Sequence, residues 1–272
     1  MAQALIDVRE LSCRAGAKYL LHDITWRIQQ GDQWVVFGRN GCGKTTLLSI
    51  IAGYKDFSDG ELTVFGDTYR GDNILSLRRR IGWISSSFFD KYYTSETILD
   101  IVLSGLFGTL GTGFAITNAA IKRAKSLLGE LGLAGRELSP FDLLSKGERQ
   151  QVLIARAFMS EPEVLILDEP GTGLDALARE RLLGTIAALS RTGTTIIYVT
   201  HYPEEILPSF DKCLLLRDGV IYRTGETSAL FDSAVISDFF DYPVNVQREN
   251  GRYTFAIAPD ALDSLLKTEG GK

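Results

Sequence analysis

The chain has 272 residues, 45% of them hydrophobic and 23% charged, with a formal net charge of −5. That length accommodates one large domain or two small ones with buried cores. The acidic balance argues against a dedicated nucleic-acid binder, which usually presents a basic face. Three scattered cysteines, Cys13, Cys42 and Cys213, form no CxxC pair, so they read as free thiols and not as a disulfide frame or zinc site.

In chain order, MAQALIDVRELS alternates and carries charge early, unlike a secretory leader. Residues 4–28 alternate loosely and predict short strands, with His22 at the surface. QWVVF (33–37) is a compact apolar strand, followed by a glycine-rich turn and helix-forming TTLLSIIAG. ELTVFGD (61–67) and IGWI (81–84) predict further strands. From about 88 to 160 the apolar spacing becomes helical, in SETILDIVLSGL, NAAIKRAKSLLGELGL and ERQQVLIARAFM. VLIL (164–167) and TTIIYV (194–199) are unbroken apolar runs, as expected of parallel strands covered on both faces, with helical DALARERLLGTIAALSR between them. PVNVQRENGRYTFAI predicts a hairpin turning at Glu249-Asn250-Gly251, and PDALDSLLK a closing helix. No apolar run approaches the ~18 residues of a membrane span. Alternating strands and helices predict an α/β fold on a mainly parallel sheet, with the helical stretch as an inserted subdomain.

GRNGCGKTT, Gly38 to Thr46, fits G-x-x-x-x-G-K-[ST] with a strand before it and a helix after it. Gly38, Asn40, Gly41, Cys42 and Gly43 form a loop whose glycines let successive N–H groups turn toward one phosphate, at a helix start that favours anions. Lys44 is expected at the β- and γ-phosphates, the Thr45 hydroxyl at Mg2+ and Thr46 at the α-phosphate. Cys42 reads as a tolerated small residue.

VLILDEP closes a buried strand with Asp168 and Glu169, at the strand end where open α/β sheets bind ligands. Asp168 suits Mg2+, and Glu169 suits orientation or deprotonation of an attacking water. His201 follows the next buried strand and is placed to donate a hydrogen bond to a γ-phosphate.

GRNGCGKTT, LSKGERQQ, LILDEP, GLDA and VTH, in this order and spacing, resemble the nucleotide-binding subunit of ATP-binding cassette (ABC) transporters, over about residues 4 to 230. The resemblance implies a P-loop NTPase fold: a mainly parallel core sheet, an antiparallel β subdomain and an inserted α-helical subdomain at about 88–160. It sets residues 1–240 as the cassette and 241–272 as a small extension. It also implies ATP and Mg2+ as ligands and a head-to-tail homodimer with two shared ATP sites. Ser145 and Gly147 would then bind the γ-phosphate held by the other copy, and Asp175 would link the two sites. LSKGE equally satisfies a helix capping box, and both readings stand.

Three positions depart from the family pattern. Lys146 replaces a glycine of the signature. Ser86 falls where a glutamine usually contacts Mg2+ and water. The adenine-stacking aromatic would fall near Ala15, so Tyr19 is its substitute. The serines after IGWI, with VTHYPEEI, resemble a subgroup linked to molybdenum uptake and photorepair. The leading expectation is the energy-coupling ATPase of a transporter, docked through residues 85–110 on permease subunits at the cytoplasmic face of a membrane, with no nucleic-acid partner. The alternative is a soluble ABC ATPase of translation, repair or regulation. A P-loop kinase is disfavoured, since it needs neither LSKGE nor GLDA.

Overall fold

The computed structural model describes residues 4–69, 73–85, 95–109, 111 and 115–257. The first half runs β1 (Ile6–Ala15), β2 (Lys18–Ile28), β3 (Gln33–Phe37), α1 (Lys44–Ile51), β4 (Asp59–Val64), β5 (Asp67–Thr68), α2 (Ile74–Arg80) and β6 (Ile81–Ser85). Helices α3 (Ile98–Ser104), α4 (Asn118–Glu130) and α5 (Lys146–Phe158) follow, then β7 (Val164–Asp168), α6 (Ala176–Leu189) and β8 (Thr195–Thr200). The remainder is β9 (Lys212–Arg217), β10 (Val220–Glu226), α7 (Thr227–Leu230), α8 (Ser233–Phe240), β11 (Val244–Glu249) and β12 (Arg252–Ile257).

The central sheet has the order β10-β9-β3-β8-β7-β6. Its pairings are parallel except β9 with β10. Every residue of β3, β6, β7 and β8 is buried, which is why these stretches carry continuous apolar runs and no alternation. A second, antiparallel sheet has the order β2-β1-β4-β5. Both sheets and the helices share one apolar core.

Residues 4–28 form two long strands, not several short ones. Their pairing carries register shifts around Leu11 and Cys13, and Glu10 and Asp23 adopt positive φ of 48° and 49°. Each bulge flips the inward face, so the strands continue where the alternation breaks. ELTVFGD is likewise a hairpin, because Phe65 and Gly66, with φ of 57° and 85°, turn the chain between β4 and β5. Helix α2 escapes sequence reading because seven residues show barely two turns of period.

The β11–β12 hairpin turns through Asn250 and Gly251, φ 50° and 80°, as an Asn-Gly pair favours. The expected helix at PDALDSLLK lies outside the described residues.

Ile166, fully buried at the centre of β7, has no means of relaxing into solvent. Ile166→Ala is expected to lower unfolding stability by about 2–5 kcal/mol through lost transfer energy and a residual cavity, read as a lower urea midpoint with an unchanged slope.

Candidate functional site

The loop from Gly38 to Gly43 joins the end of β3 to the start of α1. Gly43 caps the helix at φ 109°, and a Cβ there would come within 2.9 Å of the Leu20 carbonyl oxygen. A Cβ on Gly38 would lie 2.4 Å from the Leu216 carbonyl oxygen and 2.7 Å from Cys42 Sγ. Only glycine permits this close packing of the loop against its neighbours. Cys42 is itself buried, and burial raises its thiol above the ordinary value.

Lys44 is almost fully buried and turns back over the loop. Its Nζ donates to the carbonyl oxygens of Gly38 (2.8 Å) and Arg39 (3.1 Å). The same ammonium lies 3.2 Å from Glu169 Oε1. His201 Nδ1 also lies 3.2 Å from that oxygen. Three residues far apart in sequence therefore meet at one carboxylate oxygen. Register is the cause: β7 and β8 are parallel neighbours with Asp168 opposite Val199, so both strands end at the same edge. Glu169 takes φ 50° immediately after β7, a conformation that an ordinary side chain holds only at a cost.

Asp168 points inward and is 4% exposed. Its Oδ2 accepts a hydrogen bond from Ser85 Oγ at 3.0 Å, and the Thr45 side chain bonds to the same carboxyl group. Its Oδ1 is buried and has no hydrogen-bond partner among the described residues. Burial pushes the carboxyl up from 3.8 to about 6, and the Glu169 charge adds to this, while the Thr45 and Ser85 hydrogen bonds and Lys44 oppose it.

Ser85 was not anticipated. It stands opposite Asp168 in the β6–β7 pairing, which sequence alone does not disclose. Ser86, the expected metal contact, lies outside the described residues.

Ser145 is the N-cap of α5, with its hydroxyl accepting from the Glu148 N–H at 3.3 Å and the Glu148 carboxylate accepting from the Ser145 N–H at 2.8 Å. Both halves of the capping box are present. The Ser145 N–H bond is the main cause holding the Glu148 carboxyl below its ordinary value. Asp175 similarly caps α6, accepting from the Ala178 N–H at 2.8 Å. Lys146 lies over Gly173: a Cβ there would sit 2.9 Å from its Cδ and Nζ. Gly147, by contrast, faces open space apart from Leu174 Cδ2, 3.6 Å from where a Cβ would stand.

Three cavities adjoin the loop, one of them bringing His201 and Phe240 together with Gly38, Arg39 and Asn40. Another, of about 390 Å³, lies between Asn40, Gly41 and Thr45 on one side and Lys146, Arg149 and Gln150 on the other, with Asp168 and Glu169 in its wall. The third, of about 280 Å³, brings Tyr19 together with Gly41, Gly43, Lys44, Thr45 and Thr46. Tyr19 is partly exposed there, with the Arg14 guanidinium 4.2 Å from its ring centroid. His22 is exposed, as expected. The loop, acidic pair, histidine and Tyr19 are thus gathered. Gly147 lines a separate cavity beside α6.

The Asp168 carboxyl ties stability to pH. Its folded-state value is raised, so its contribution to stability is full below about pH 4 and is lost as pH rises through about 6. In protein free of nucleotide and divalent cations, Asp168→Asn is expected to be more stable than the parent near pH 7 by on the order of 2–3 kcal/mol. The gap should narrow below pH 6 and close near pH 4, as measured by urea unfolding across that range.

The chain matches the family described as ABC transporter over residues 21–172. It is 39% identical over 248 residues to the uncharacterized ABC transporter ATP-binding protein YlmA of Bacillus subtilis, covering 89% of this chain and 93% of that protein. It is 34% identical over 209 residues to the ABC transporter ATP-binding protein ModF of Escherichia coli, covering 75% of this chain and 43% of ModF. Among solved structures, cbiO1 of Clostridium perfringens, part of the ABC transporter complex cbiONQ, superimposes with a TM-score of 0.70 at 25% identity, covering 87% of this chain and 94% of that one. With the phosphate loop, the acidic strand end and the histidine gathered at one sheet edge, the chain belongs to the ABC transporter family as an ATP-hydrolysing, ATP-binding subunit.

Proposed function

We propose that the protein couples ATP hydrolysis to transport as a head-to-tail homodimer, seated on membrane-spanning permease subunits at the cytoplasmic face of a membrane. The observation that carries the chemistry is the meeting of Lys44 Nζ and His201 Nδ1 at Glu169 Oε1, each at 3.2 Å. A base so placed sits beside both the ammonium that neutralises the β- and γ-phosphates and the imidazole that contacts the γ-phosphate.

ATP enters along the loop, with its phosphates taking the N–H groups of Asn40 to Thr46 and its adenine against Tyr19. Lys44 exchanges its carbonyl partners, Gly38 and Arg39, for phosphate oxygens. Glu169, released from Lys44, accepts a proton from the attacking water. His201 holds the γ-phosphate in line with that water.

A buried, unpartnered Asp168 oxygen beside the Thr45 hydroxyl is an all-oxygen donor set that suits a hard divalent cation. Thr45 and Asp168 would hold Mg2+, which would supply neutralisation of the phosphate charge when bound. Ser85 keeps the Asp168 carboxylate aimed.

The open face of Gly147 supports completion of the site by a second copy. No side chain of its own chain crowds it, apart from Leu174, so a partner's γ-phosphate has room to approach the start of α5. ATP held between two copies favours the closed dimer, and its hydrolysis releases them. No helix among the described residues is long and apolar enough to cross a membrane, so the spanning segments would come from the permease. The relatives' names as transporter subunits, and membership of cbiO1 in a transporter complex, favour this reading over a non-transport ATPase.

Glu169→Gln is expected to bind MgATP without turning it over, and to sediment as a dimer with MgATP and as a monomer without it. Lys44→Ala is expected to lose ATP binding by about 100-fold or more, because each charge-assisted contact to phosphate is strong. A Glu169→Gln chain that stays monomeric at saturating MgATP in analytical ultracentrifugation contradicts the shared site.

A further inference from the structure

The hairpin β11–β12 plays no part in the chemistry above, yet it is fastened to three pieces of the site. Arg252, the first residue of β12, donates from Nη1 to the Glu204 carbonyl oxygen at 2.7 Å. Its Nη2 donates to Glu180 Oε2 at 3.1 Å. Glu204 belongs to the 3-10 turn Pro203–Glu205, which begins two residues after His201. Glu180 lies on α6, the helix capped by Asp175. One planar guanidinium thus spans the turn behind the histidine and the helix behind the aspartate, with the fixed fork that two simultaneous bonds require.

The hairpin is itself firmly seated. Gly251 packs on Pro208, with a Cβ there meeting its Cγ at 3.0 Å. Phe255 lies 5.8 Å from Phe37 and 5.9 Å from Phe231 between ring centroids, and Tyr253 lies 4.9 Å from Phe231. Phe37 immediately precedes Gly38 of the phosphate loop.

The inner side of the same turn is held differently. Glu205 is 1% exposed, and its Oε2 accepts from Tyr198 Oη at 2.9 Å and Thr200 Oγ1 at 2.6 Å. Its other oxygen faces Gly171, where a Cβ would stand only 2.1 Å away. Gly171 follows Glu169 by two residues. The turn that follows His201 is therefore hydrogen-bonded to β8 and packed against Gly171 from within, and clamped by Arg252 from without.

We propose that Arg252 is a positioning residue for His201: by joining the Glu204 carbonyl to Glu180, it lets the hairpin set where the imidazole stands over Glu169. This rests on the reading of His201 as the γ-phosphate contact. Sub-ångström placement matters for such a contact, because small misplacements of a reacting geometry cost large factors in rate. The effect is expected on turnover and not on binding, since the two bonds of the Arg252 guanidinium go to Glu204 and Glu180 and not to the phosphate loop or Tyr19.

The test uses the full chain and four variants: Arg252→Ala, Arg252→Lys, His201→Ala and the double variant Arg252→Ala with His201→Ala. Steady-state ATP hydrolysis and MgATP binding are measured separately. Arg252→Ala is expected to lower kcat by about tenfold with KM within about twofold of the parent. Arg252→Lys, which can still reach the Glu204 carbonyl, should recover part of that loss. Added to His201→Ala, the Arg252 change should lower kcat no further, because both act through one group. Unchanged kcat in Arg252→Ala, or a further tenfold loss in the double variant, overturns the proposal while leaving the His201 reading intact. Parent-like turnover in His201→Ala overturns both. Arg252→Gln keeps the aliphatic stem but not the fork, and reads the same contact should the alanine variant fail to fold.

Discussion

In the register of the parallel sheet, Ser85 stands opposite Asp168, Asp168 opposite Val199 and Phe37 opposite Thr200. The loops that leave β3, β7 and β8 therefore start side by side, and each brings one kind of chemistry: backbone N–H groups and an ammonium, two carboxylates, an imidazole. None of these segments could be shifted by one residue without turning its side chains to the opposite face. Complete burial of all four strands is what holds the register. The apolar core and the site are in this sense one structure.

Burial also sets the electrostatics. Asp168 sits at the buried end of β7, and the cost of its charge there is only partly offset by Ser85 and Thr45. A carboxylate left wanting a partner is poised to take a cation. Lys44, equally buried, is held by loop carbonyls and Glu169, contacts that can be exchanged for phosphate oxygens without exposing the ammonium to an apolar surround. Lys44, Glu169 and His201 thus lie in mutual contact, and in the proposed mechanism a polyanion separates them.

What the sequence disclosed was contiguous. The glycine loop, the Asp168-Glu169 pair and the Ser145–Glu148 capping box each lie within a few residues, and local geometry follows from local pattern. The buried parallel strands were legible because unbroken apolar runs have one use in an α/β sheet. What it hid depends on pairing or on distant approach. Ser85 is ordinary until β6 is laid beside β7. The bulges in β1 and β2 disguised two long strands as several short ones. Arg252 reaches Glu204 and Glu180 across 48 and 72 residues, a distance at which no spacing rule operates.

In the proposed mechanism the start of α5 serves a nucleotide held by another copy. Gly147 offers the cleanest probe, since a side chain there meets little within its own chain. The measurement is ATP affinity and sedimentation of Gly147→Asp in a chain that also carries Glu169→Gln. This protein is expected to bind MgATP as a monomer with the affinity of the isolated phosphate loop and not to dimerise. Dimerisation equal to that of the Glu169→Gln parent, or loss of ATP binding by the monomer itself, would contradict that mechanism.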